Sequence, residues 1–417
     1  MRWFVSHRQT DSRLRWLLAS SGTSNLADGI AKVAFPLLAT TLTRDPVEIA
    51  ALSAVQFLPW LLFAIPAGTL VDRIDRKKAM VAANAMRALV VAAVTALLAF
   101  GTVEIWTIYV ASLLVGIAET VAESAANVLP PALVEADRLE SANSKLQACE
   151  IVGQTFLGGP VGSATFALFA VFPFLLSSVG FAVGAAVLLG MAGSYRPRQE
   201  TKSHIRADFA DGFRWLRRHS LLLRLLAIAG LLSLISELAQ AQLVLYALED
   251  LHLSDATFGA FAFVGGAGGL LGAGLTPRLV RRIGRRTVLV GGVFFCALGF
   301  GGMGLVRQPV VSAVLFGVFA AAVVAVNVVL ATARHTLVPG ELLGRVLGVW
   351  RTVVWGAIPL GALLGGLLTK LLGSAGDTFA ASGLLLLFVT GYALFALRGH
   401  PLDDKTASTG DGVRSQQ

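Results

Sequence analysis

Acidic side chains lie inside apolar segments in both halves of the chain, and carboxyl groups in such places can carry protons. Asp28 and Glu237 each lie about halfway along an apolar segment, where an ionisable group costs a few kcal/mol and is therefore a candidate functional residue. Burial away from a cation favours the protonated form of a carboxyl group. Lys32 lies one helical turn from Asp28, so a static ion pair between those two residues is the alternative interpretation. Glu237 has no cationic residue within a turn, which makes it the better candidate for a proton carrier.

A second acidic pair, Glu119 and Glu123, has the i,i+4 spacing that places both side chains on one helix face. Like charges at this spacing repel, so at least one of the two is expected to be protonated or paired elsewhere. Arg87 lies at a similar depth to Glu123 in the neighbouring apolar segment. An ion pair of Arg87 with Glu123 that serves structure alone is the alternative to a role in proton transfer.

Uncharged polar and aromatic side chains also lie within the apolar segments. We expect some of them to line a central cavity and the others to bond neighbouring helices, with aromatic rings offering contact area to a bulky amphipathic ligand. The candidates for the cavity wall are Asn25, Gln56, Gln154, Gln240, Tyr246 and Asn327. The sequence contains no His-Glu-x-x-His helix, nucleophile elbow or phosphate-binding loop. We therefore predict no enzyme activity, no metal or other cofactor, and no ATP-driven transport.

The elements that position these residues are predicted to be membrane-spanning helices. Of the 417 residues, 55% are hydrophobic and only 14% are charged, with a mean hydropathy of +0.73, whereas a soluble protein carries about 25% charged residues. This composition excludes an ordinary cytosolic enzyme. The net charge of +9 comes from short basic runs between apolar stretches, which is typical of membrane topology and argues against nucleic-acid binding. We expect Cys149 and Cys296 to be free thiols.

Twelve apolar segments are long enough to cross a bilayer, which takes about 20 residues per helix. They are 14–41, 47–71, 79–100, 105–129, 146–170, 172–194, 221–247, 256–280, 287–306, 309–333, 343–371 and 378–398. The predicted fold class is an all-α integral membrane protein with 12 transmembrane helices in two pseudo-symmetric six-helix bundles. We predict an N-terminal bundle at 1–194, a linker at 195–220, a C-terminal bundle at 221–398 and a tail at 399–417.

The linker contains apolar residues at helical spacing, flanked by arginines. These residues are Ile205, Phe209, Phe213 and Leu216. The pattern predicts a basic amphipathic helix that lies on the inner leaflet and joins the two bundles. A solvated linker helix that contacts nothing is the alternative.

The distribution of basic residues predicts the orientation. With an even number of spans both termini lie on one side, and 29 of the 34 Lys and Arg residues fall in segments on that side, against three in the loops opposite. An excess of this size in short loops marks the cytoplasmic side. We therefore expect a multi-pass protein of the cell membrane (the inner or plasma membrane) with both termini in the cytoplasm.

The two halves of the sequence resemble each other. Residues 68–77 align with residues 277–286 at an offset of 209, and the same offset pairs Asp28 with Glu237. Pro130 and Pro339, each just after a predicted span, are related in the same way. Two sets of six spans in the same orientation are the parallel-repeat plan of a two-bundle secondary transporter.

The first copy of this repeat also resembles a known family. The pattern Gly68-x-x-x-Asp72-Arg73-x-x-Arg76-Lys77 is similar to the signature loop of the major facilitator superfamily. Further segments are similar to the macrolide-efflux and enterobactin-exporter branch, namely 25–29, 129–134 with 142–143, 213–218 and 344–346. The family usually has Gly at the position of Asp75, so the first loop is expected to turn differently.

This resemblance implies roles for the residues already singled out. In the family fold the first, fourth, seventh and tenth helices line the central cavity, which would place Asp28 and Glu237 beside the substrate path. Asp72 would close the cytoplasmic gate by accepting hydrogen bonds from the other bundle. The remaining members of the implied gate are Gly68, Arg73, Arg76 and Lys77, with Arg345 and Arg351 as partners from the other bundle. The alternative is that the basic residues only fix the topology.

The function expected from these features is proton-coupled efflux of a bulky amphipathic compound, such as an antibiotic, siderophore or secondary metabolite, by alternating access. Gly158-Gly-Pro160-x-Gly162 partly resembles the antiporter signature of exporting members and favours this direction. An importer or symporter of a small nutrient or lysolipid is the alternative, and a non-transporting receptor or assembly protein is the alternative of another class. The expected partners are the small-molecule substrate, protons and the lipid bilayer, with no nucleic acid. We expect a monomer.

Overall fold

The structure of the chain, a computed structural model, describes residues 2–71, 74–135, 138–196 and 205–398. The side chains at 2–11, 63–70, 140 and 205–210 lie outside this description. Within the described ranges every regular element is a helix. The all-α fold predicted from composition is therefore confirmed.

The N-terminal half contains eight helices, two of which join through a π-helical segment to form one crossing. The helices are α1 (Arg2–Leu42), α2 (Pro46–Val71), α3 (Arg76–Ala99), α4 (Ile105–Asn127), the short α5 (Pro130–Leu133), α6 (Leu139–Glu150), α7 (Gly159–Leu168) and α8 (Val171–Leu189). The π-helical segment Ile151–Gly158 connects α6 to α7 without a break. Segments of this kind are rare and occur frequently at functional sites.

The C-terminal half begins with the linker helix α9 (Ile205–Arg218). It continues through α10 (Ser220–Gln240), the short α11 (Leu243–Leu245), a π-helical segment (Tyr246–Asp250), α12 (Asp255–Val306), α13 (Pro309–Leu337), α14 (Gly340–Leu372) and α15 (Ala375–Ala396). The seventh crossing therefore ends at Asp250, three residues beyond the predicted span.

The described residues form twelve crossings. Eight helical runs are each long and apolar enough to span a membrane by length and composition. One of them, α12, has 52 residues and would be about 78 Å long if straight, against a bilayer core of about 30 Å. It is therefore two crossings that meet at Gly284, where the backbone leaves the helical region. The first, second and fifth crossings are α1, α2 and the run from α6 to α7.

The turns that join crossings two to three and eight to nine differ, as expected from Asp75. Gly284, its counterpart in the repeat, has φ 79° and ψ 157°, a backbone conformation that glycine adopts without strain. Asp75 instead has φ −66° and ψ 119° and caps the start of α3 by accepting a hydrogen bond from the backbone N–H of Lys78 (3.2 Å). The same carboxylate accepts hydrogen bonds from Ser194 (2.5 Å) and from the backbone N–H of Tyr195 (2.8 Å). Asp75 thus joins the start of α3 to the segment that follows α8.

Replacing Asp75 by Ala should lower the stability of the N-terminal bundle. Loss of a helix cap alone costs about 1 kcal/mol, and Ser194 and Tyr195 lose their acceptor as well. Glu104 provides a matched control, because it occupies the same position before α4 but makes no side-chain cap hydrogen bond. We expect Asp75→Ala to lower the unfolding temperature in detergent and Glu104→Ala to leave it unchanged. Equal effects of the two substitutions would contradict this role.

The stabilisation by Asp75 should also depend on pH. Burial raises the pKa of this carboxyl group, but the hydrogen bonds from Ser194, Tyr195 and Lys78 outweigh that effect and hold the pKa below its usual value. Because the pKa of Asp75 is lower in the folded state, its contribution to the free energy of unfolding is complete above the unfolded-state pKa of about 4. That contribution is lost as the pH falls through the lower, folded-state pKa.

Close helix contacts in both halves depend on glycine. A Cβ atom on Gly158 would lie 2.5 Å from the Cα atom of Gly29, and one on Gly162 would lie 2.8 Å from the carbonyl oxygen of Ile30. The glycine motif of the fifth crossing therefore packs directly on α1. The sequence Pro359-Leu-Gly361 on α14 matches Pro160-Val-Gly162, and Gly361 approaches the carbonyl of Leu234 on α10 in the same manner. The sequence repeat thus corresponds to a repeated packing arrangement.

The linker helix α9 packs against α14. Leu216 is fully buried, and a Cβ atom on Gly212 would lie 2.7 Å from the carbonyl oxygen of Arg345. Phe213 is 43% exposed, beside Arg214 and Arg217. The alternative of a linker helix that contacts nothing is therefore wrong, because one face of α9 contacts the C-terminal bundle.

Candidate transport site

Two cavities lie in the half of the molecule nearer the face at which α1 begins and α15 ends, which we call the terminal face. The N-terminal cavity has a volume of about 300 Å³ and is walled by α1, α3, α4, α6 and the adjoining π-helical segment. The C-terminal cavity has a volume of about 600 Å³ and is walled by α10, α13 and α14. The walls include the first, fourth, seventh and tenth crossings.

Asp28 and Arg87 form an ion pair in the N-terminal bundle. The Arg87 Nη1 atom lies 3.1 Å from Oδ1 and 3.0 Å from Oδ2 of Asp28, and the two residues are only 5% and 3% exposed. Arg87 also contacts the Asn84 amide oxygen and lies over the ring of Phe181. Two sequence-based alternatives are therefore wrong: Asp28 does not pair with Lys32, and Arg87 does not neutralise Glu123. Sequence spacing within one helix could not reveal a contact between α1 and α3.

Lys32 instead joins three elements. Its Nζ atom lies 3.1 Å from Glu119 Oε1 on α4 and 3.1 Å from Gln154 Oε1 in the π-helical segment. The Gln154 amide in turn donates to Asn25 on α1 (2.9 Å). Lys32 is thus a partner for Glu119, which is one of the two outcomes expected for the Glu119–Glu123 pair.

Glu123 differs from Asp28 and Glu119, the two paired acids of the N-terminal cavity. It lines the N-terminal cavity, and in the described part of the chain it has no ion pair. Its side chain is exposed at the cavity wall and is therefore accessible to protons and ligands. Asp28 and Glu119 are already paired with cations, and Glu150 accepts a hydrogen bond from Gln147, so Glu123 is the acid of this cavity best placed to bind a proton or a cationic group.

Glu237 connects the two bundles. Its Oε1 atom accepts a hydrogen bond of 2.6 Å from the hydroxyl of Ser53, which belongs to α2 of the other bundle. The glutamate is 9% exposed and lines the C-terminal cavity. No ion pair of Glu237 occurs among the described residues, in agreement with the absence of a nearby cation in sequence. The side-chain hydrogen bond that the structure describes for Glu237 therefore crosses between the bundles.

The uncharged candidates divide between cavity and core. Gln240 and Asn327 line the C-terminal cavity, and Gln56 lines a small pocket next to Lys32. Tyr246 is fully buried, and its hydroxyl bonds Ser312 (2.8 Å) and a backbone carbonyl. The prediction that Tyr246 lines the cavity is wrong, because its hydroxyl is satisfied inside the C-terminal bundle.

The basic residues of the signature loop contact their own bundle. Gly68 lies in the last turn of α2. Arg76 donates to the carbonyl oxygen of Val128 (3.0 Å), and Lys77 donates to that of Met191 (2.6 Å). Both carbonyls lie just beyond the C-terminal ends of helices, where cations are favourable. In the structure Arg76 and Lys77 therefore fasten helix ends.

The remaining gate prediction concerns residues at the terminal face. Asp72 and Arg73 lie outside the described residues, so their predicted contacts stay a prediction. Arg345 lies 3.7 Å from Asp211 of α9, which connects the linker helix to the start of α14. Arg351 lines the C-terminal cavity.

Contacts between the bundles join them at the opposite face. Lys370, at the end of α14, bonds Asp45, before α2, at 2.5 Å. Arg44 bonds Glu249 at 3.3 Å. At the contact of α7 with α12, the hydroxyl of Ser163 accepts from the backbone N–H of residue 259 at 2.9 Å. These contacts between the bundles were not predicted from the sequence. The few charged residues in the loops of that face, among them Arg44 and Lys370, were the available signal.

The Asp45–Lys370 pair is expected to hold the opposite face closed. Removing the cation with Lys370→Gln should shift the population towards molecules open at that face. A pair of spin labels on Leu42 and Leu371, in a background without Cys149, would report this as longer distances. Arg282→Gln, an exposed change at the terminal face, is the control and should leave the distances unchanged. If Lys370→Gln also leaves them unchanged, the pair does not act as a latch.

The latch should weaken in acid. The hydrogen bond from Lys370 and the backbone N–H of Val47 hold the pKa of Asp45 below its usual value. Opening removes the Lys370 contact, so protonation of Asp45 favours the open form, and the spin-label distances should lengthen as the pH falls towards about 4 and below.

Comparison with known proteins identifies relatives over nearly the whole chain. The sequence model of the family described as transmembrane secretion effector matches residues 8–411. Macrolide efflux protein A of Streptococcus pyogenes is 22% identical over 386 residues, which cover 89% of this chain and 92% of that protein. The multidrug efflux pump Tap of Mycolicibacterium fortuitum is 25% identical over 399 residues, which cover 93% of this chain and 96% of that protein.

Solved structures show the same architecture. The nucleoside transporter NupG superposes with a TM-score of 0.75 at 12% identity and covers 93% of this chain and 99% of its own. A bacterial homologue of the human lysosomal transporter Spinster, in an inward-facing and occupied conformation, superposes with a TM-score of 0.73 at 13% identity and covers 92% and 96%. At these identities the similarity establishes the fold alone.

Proposed function

Because this chain belongs to the transmembrane secretion effector family of major facilitator transporters, we propose that it is a proton-coupled exporter of bulky amphipathic compounds. The efflux of macrolides and of multiple drugs is what its relatives are named for, and both support the outward direction. The proposed location is the cell membrane, with the terminal face in the cytoplasm. The excess of Lys and Arg in the segments of that face supports this orientation.

The observation that carries the proposal is the hydrogen bond between Ser53 and Glu237. Glu237 is a buried carboxyl group with no cation among its described contacts, so it is suited to exchange a proton. It lines the larger cavity and at the same time contacts the other bundle. A change in its protonation therefore changes both a ligand site and a contact between the bundles, which is what coupling requires.

The arrangement of cavities and contacts corresponds to one state of an alternating-access cycle. With the terminal face in the cytoplasm, both cavities lie in the cytoplasmic half, and the Asp45–Lys370 pair closes the external face. Cargo would enter from the cytoplasm in this state. When the external face opens, a proton from outside would bind Glu237 and displace a cationic group of the cargo. The proton and the cargo thus compete for one carboxylate, which produces exchange.

Glu123 is the proposed second proton site, in the N-terminal cavity. Asp28 is paired with Arg87 and Lys32 with Glu119, so these four charges neutralise each other in pairs. Their proposed role is to fix the geometry of α1 against α3 and α4. Protons would exchange at Glu123 and Glu237, at the acids that lack a cation.

The proposal is tested by reconstituting the protein in liposomes with its cytoplasmic face outward and imposing an acidic lumen. A panel of macrolides, tetracyclines, cationic dyes and catecholate siderophores is supplied outside. For an exporter, one or more compounds should accumulate in the lumen against their gradient while protons leave. A compound that instead leaves the lumen together with protons would identify a symporter and overturn the proposed direction.

A further inference from the structure

The C-terminal cavity contains two arginines that no carboxylate neutralises. Arg334 lies in the last turn of α13 and Arg351 on α14, and both line the cavity. In the described part of the chain neither forms an ion pair with an acidic side chain. Two like charges that line one cavity without an anion repel each other, and an anionic ligand would relieve that repulsion.

Arg334 is also held in a fixed place. Its guanidinium lies 4.4 Å from the ring centre of Trp350, which is itself 4% exposed. The Nε atom of Arg334 is buried and has no hydrogen-bond partner. Buried donors in proteins nearly always have a partner. A guanidinium held against an indole ring at the wall of a cavity is suited to bind a carboxylate, sulfonate or phosphate group through its terminal N–H donors.

The only acid among the residues that line this cavity in the structure is Glu237. It does not serve as the counter-ion, because its described polar contact is with Ser53 and it forms no ion pair with either arginine among the described residues. The cavity therefore has an acidic end at Glu237 and a separate basic end at Arg334 and Arg351. The lining also includes the aromatic side chains of Trp350 and Trp355.

We propose that this cavity recognises an elongated zwitterionic amphiphile, with its anionic group on Arg334 and Arg351 and its cationic group towards Glu237. This inference rests on the proposed function and narrows its cargo class. A cavity of about 600 Å³ is in the range that holds a drug-sized ligand. The cationic group occupies the carboxylate that otherwise binds the proton, so the arginines add selectivity without disturbing the exchange.

The test uses three probes on one naphthalene scaffold and equilibrium binding to the purified protein in nanodiscs. The zwitterion is 6-(aminomethyl)-2-naphthoate. In the second probe a carboxamide replaces the carboxylate, and in the third a methyl group replaces the aminomethyl group. We expect the zwitterion to bind tightest, and the carboxamide to bind about tenfold or more weakly, because a charge-assisted contact is lost.

Substitutions of the two arginines test whether they cause the difference in affinity between the zwitterion and the carboxamide. Arg334→Gln and Arg351→Gln should each weaken binding of the zwitterion while leaving binding of the carboxamide unchanged. Arg282→Gln, which removes an exposed positive charge at the same face, should affect neither probe. Unfolding temperatures confirm that each variant is folded. Equal affinity for the zwitterion and the carboxamide in the unaltered protein would overturn the proposal.

An anionic lipid headgroup could occupy the arginines in the same way as the anionic group of a soluble substrate. Changing the lipid composition of the nanodiscs distinguishes these two ligands. Binding is measured in phosphatidylcholine discs with and without phosphatidylglycerol. Arginine-dependent binding of the zwitterion in both compositions supports a soluble substrate. If phosphatidylglycerol abolishes zwitterion binding by occupying the arginines, the site takes a lipid and the substrate assignment is wrong. Because no pH gradient is applied, the result does not depend on whether proton coupling or the export direction is correct.

Discussion

Glu237→Gln is expected to abolish accumulation driven by a pH gradient while leaving downhill movement of the cargo in place. A pH difference of one unit is worth about 1.4 kcal/mol per proton, so one-to-one exchange sustains a concentration ratio of about ten. Glutamine keeps the shape of the side chain and can still accept the hydrogen bond from Ser53, but it does not titrate. The ratio should therefore fall to about one.

Two further variants separate the proton from the contact between the bundles. Ser53→Ala removes the hydrogen-bond donor but keeps the carboxyl group, so coupling should persist with an altered rate. Glu104→Gln removes an exposed acid at the opposite face and should behave as the unaltered protein does. If Glu237→Gln still accumulates cargo about tenfold, another group carries the proton, and Glu123 is then the first to examine.

Arg87→Met is expected to destabilise the N-terminal bundle severely. Removing one partner of a buried ion pair leaves an uncompensated charge and costs about 3–5 kcal/mol. Asp28 and Arg87 are only 5% and 3% exposed, so water can solvate the remaining charge only poorly. The unfolding temperature in detergent should fall sharply, and the yield of folded protein should fall with it.

The double variant Asp28→Asn with Arg87→Met distinguishes an ion pair from two independent contributions. With both charges removed no buried charge is left unpaired, so most of the lost stability should return. Lys32→Met serves as a comparison, because Lys32 is more exposed than Arg87 and its loss should cost less. If the effects of the two single substitutions simply add in the double variant, Asp28 and Arg87 do not act as a pair.

The fold was largely predictable because the bilayer restricts which segments can cross it. The lengths of the apolar segments predicted the crossings. The repeat offset of 209 predicted that Asp28 and Glu237 occupy equivalent positions in the two bundles. The two predicted spans at 256–280 and 287–306 correspond to the two crossings of α12, which meet at Gly284, where the backbone leaves the helical region. Asp75 could be recognised as an exception, but its contacts with the segment after α8 could not.

The pairing of charges was less predictable, because helix spacing describes one helix at a time. Helix spacing suggested that Asp28 and Lys32 pair with each other. In the structure Asp28 pairs with a residue on α3 and Lys32 with a residue on α4. Tyr246 combines an aromatic ring with a hydroxyl group, as residues that line ligand cavities often do. Its hydroxyl is instead hydrogen-bonded to Ser312 inside the core. In the sequence, Arg334 and Arg351 cannot be distinguished from the basic residues that set the membrane topology. Their position on the cavity wall, without an ion pair among the described residues, distinguishes them.

The central claim is that cargo and protons move in opposite directions through Glu237. The most direct measurement is proton movement in proteoliposomes that contain a trapped pH dye, started by a substrate gradient with no pH gradient imposed. We predict a proton flux opposite to the substrate flux, which disappears in Glu237→Gln while substrate still moves. Protons that move with the substrate, or substrate that moves in the unaltered protein without any proton flux, would contradict the proposed mechanism and leave the fold assignment standing.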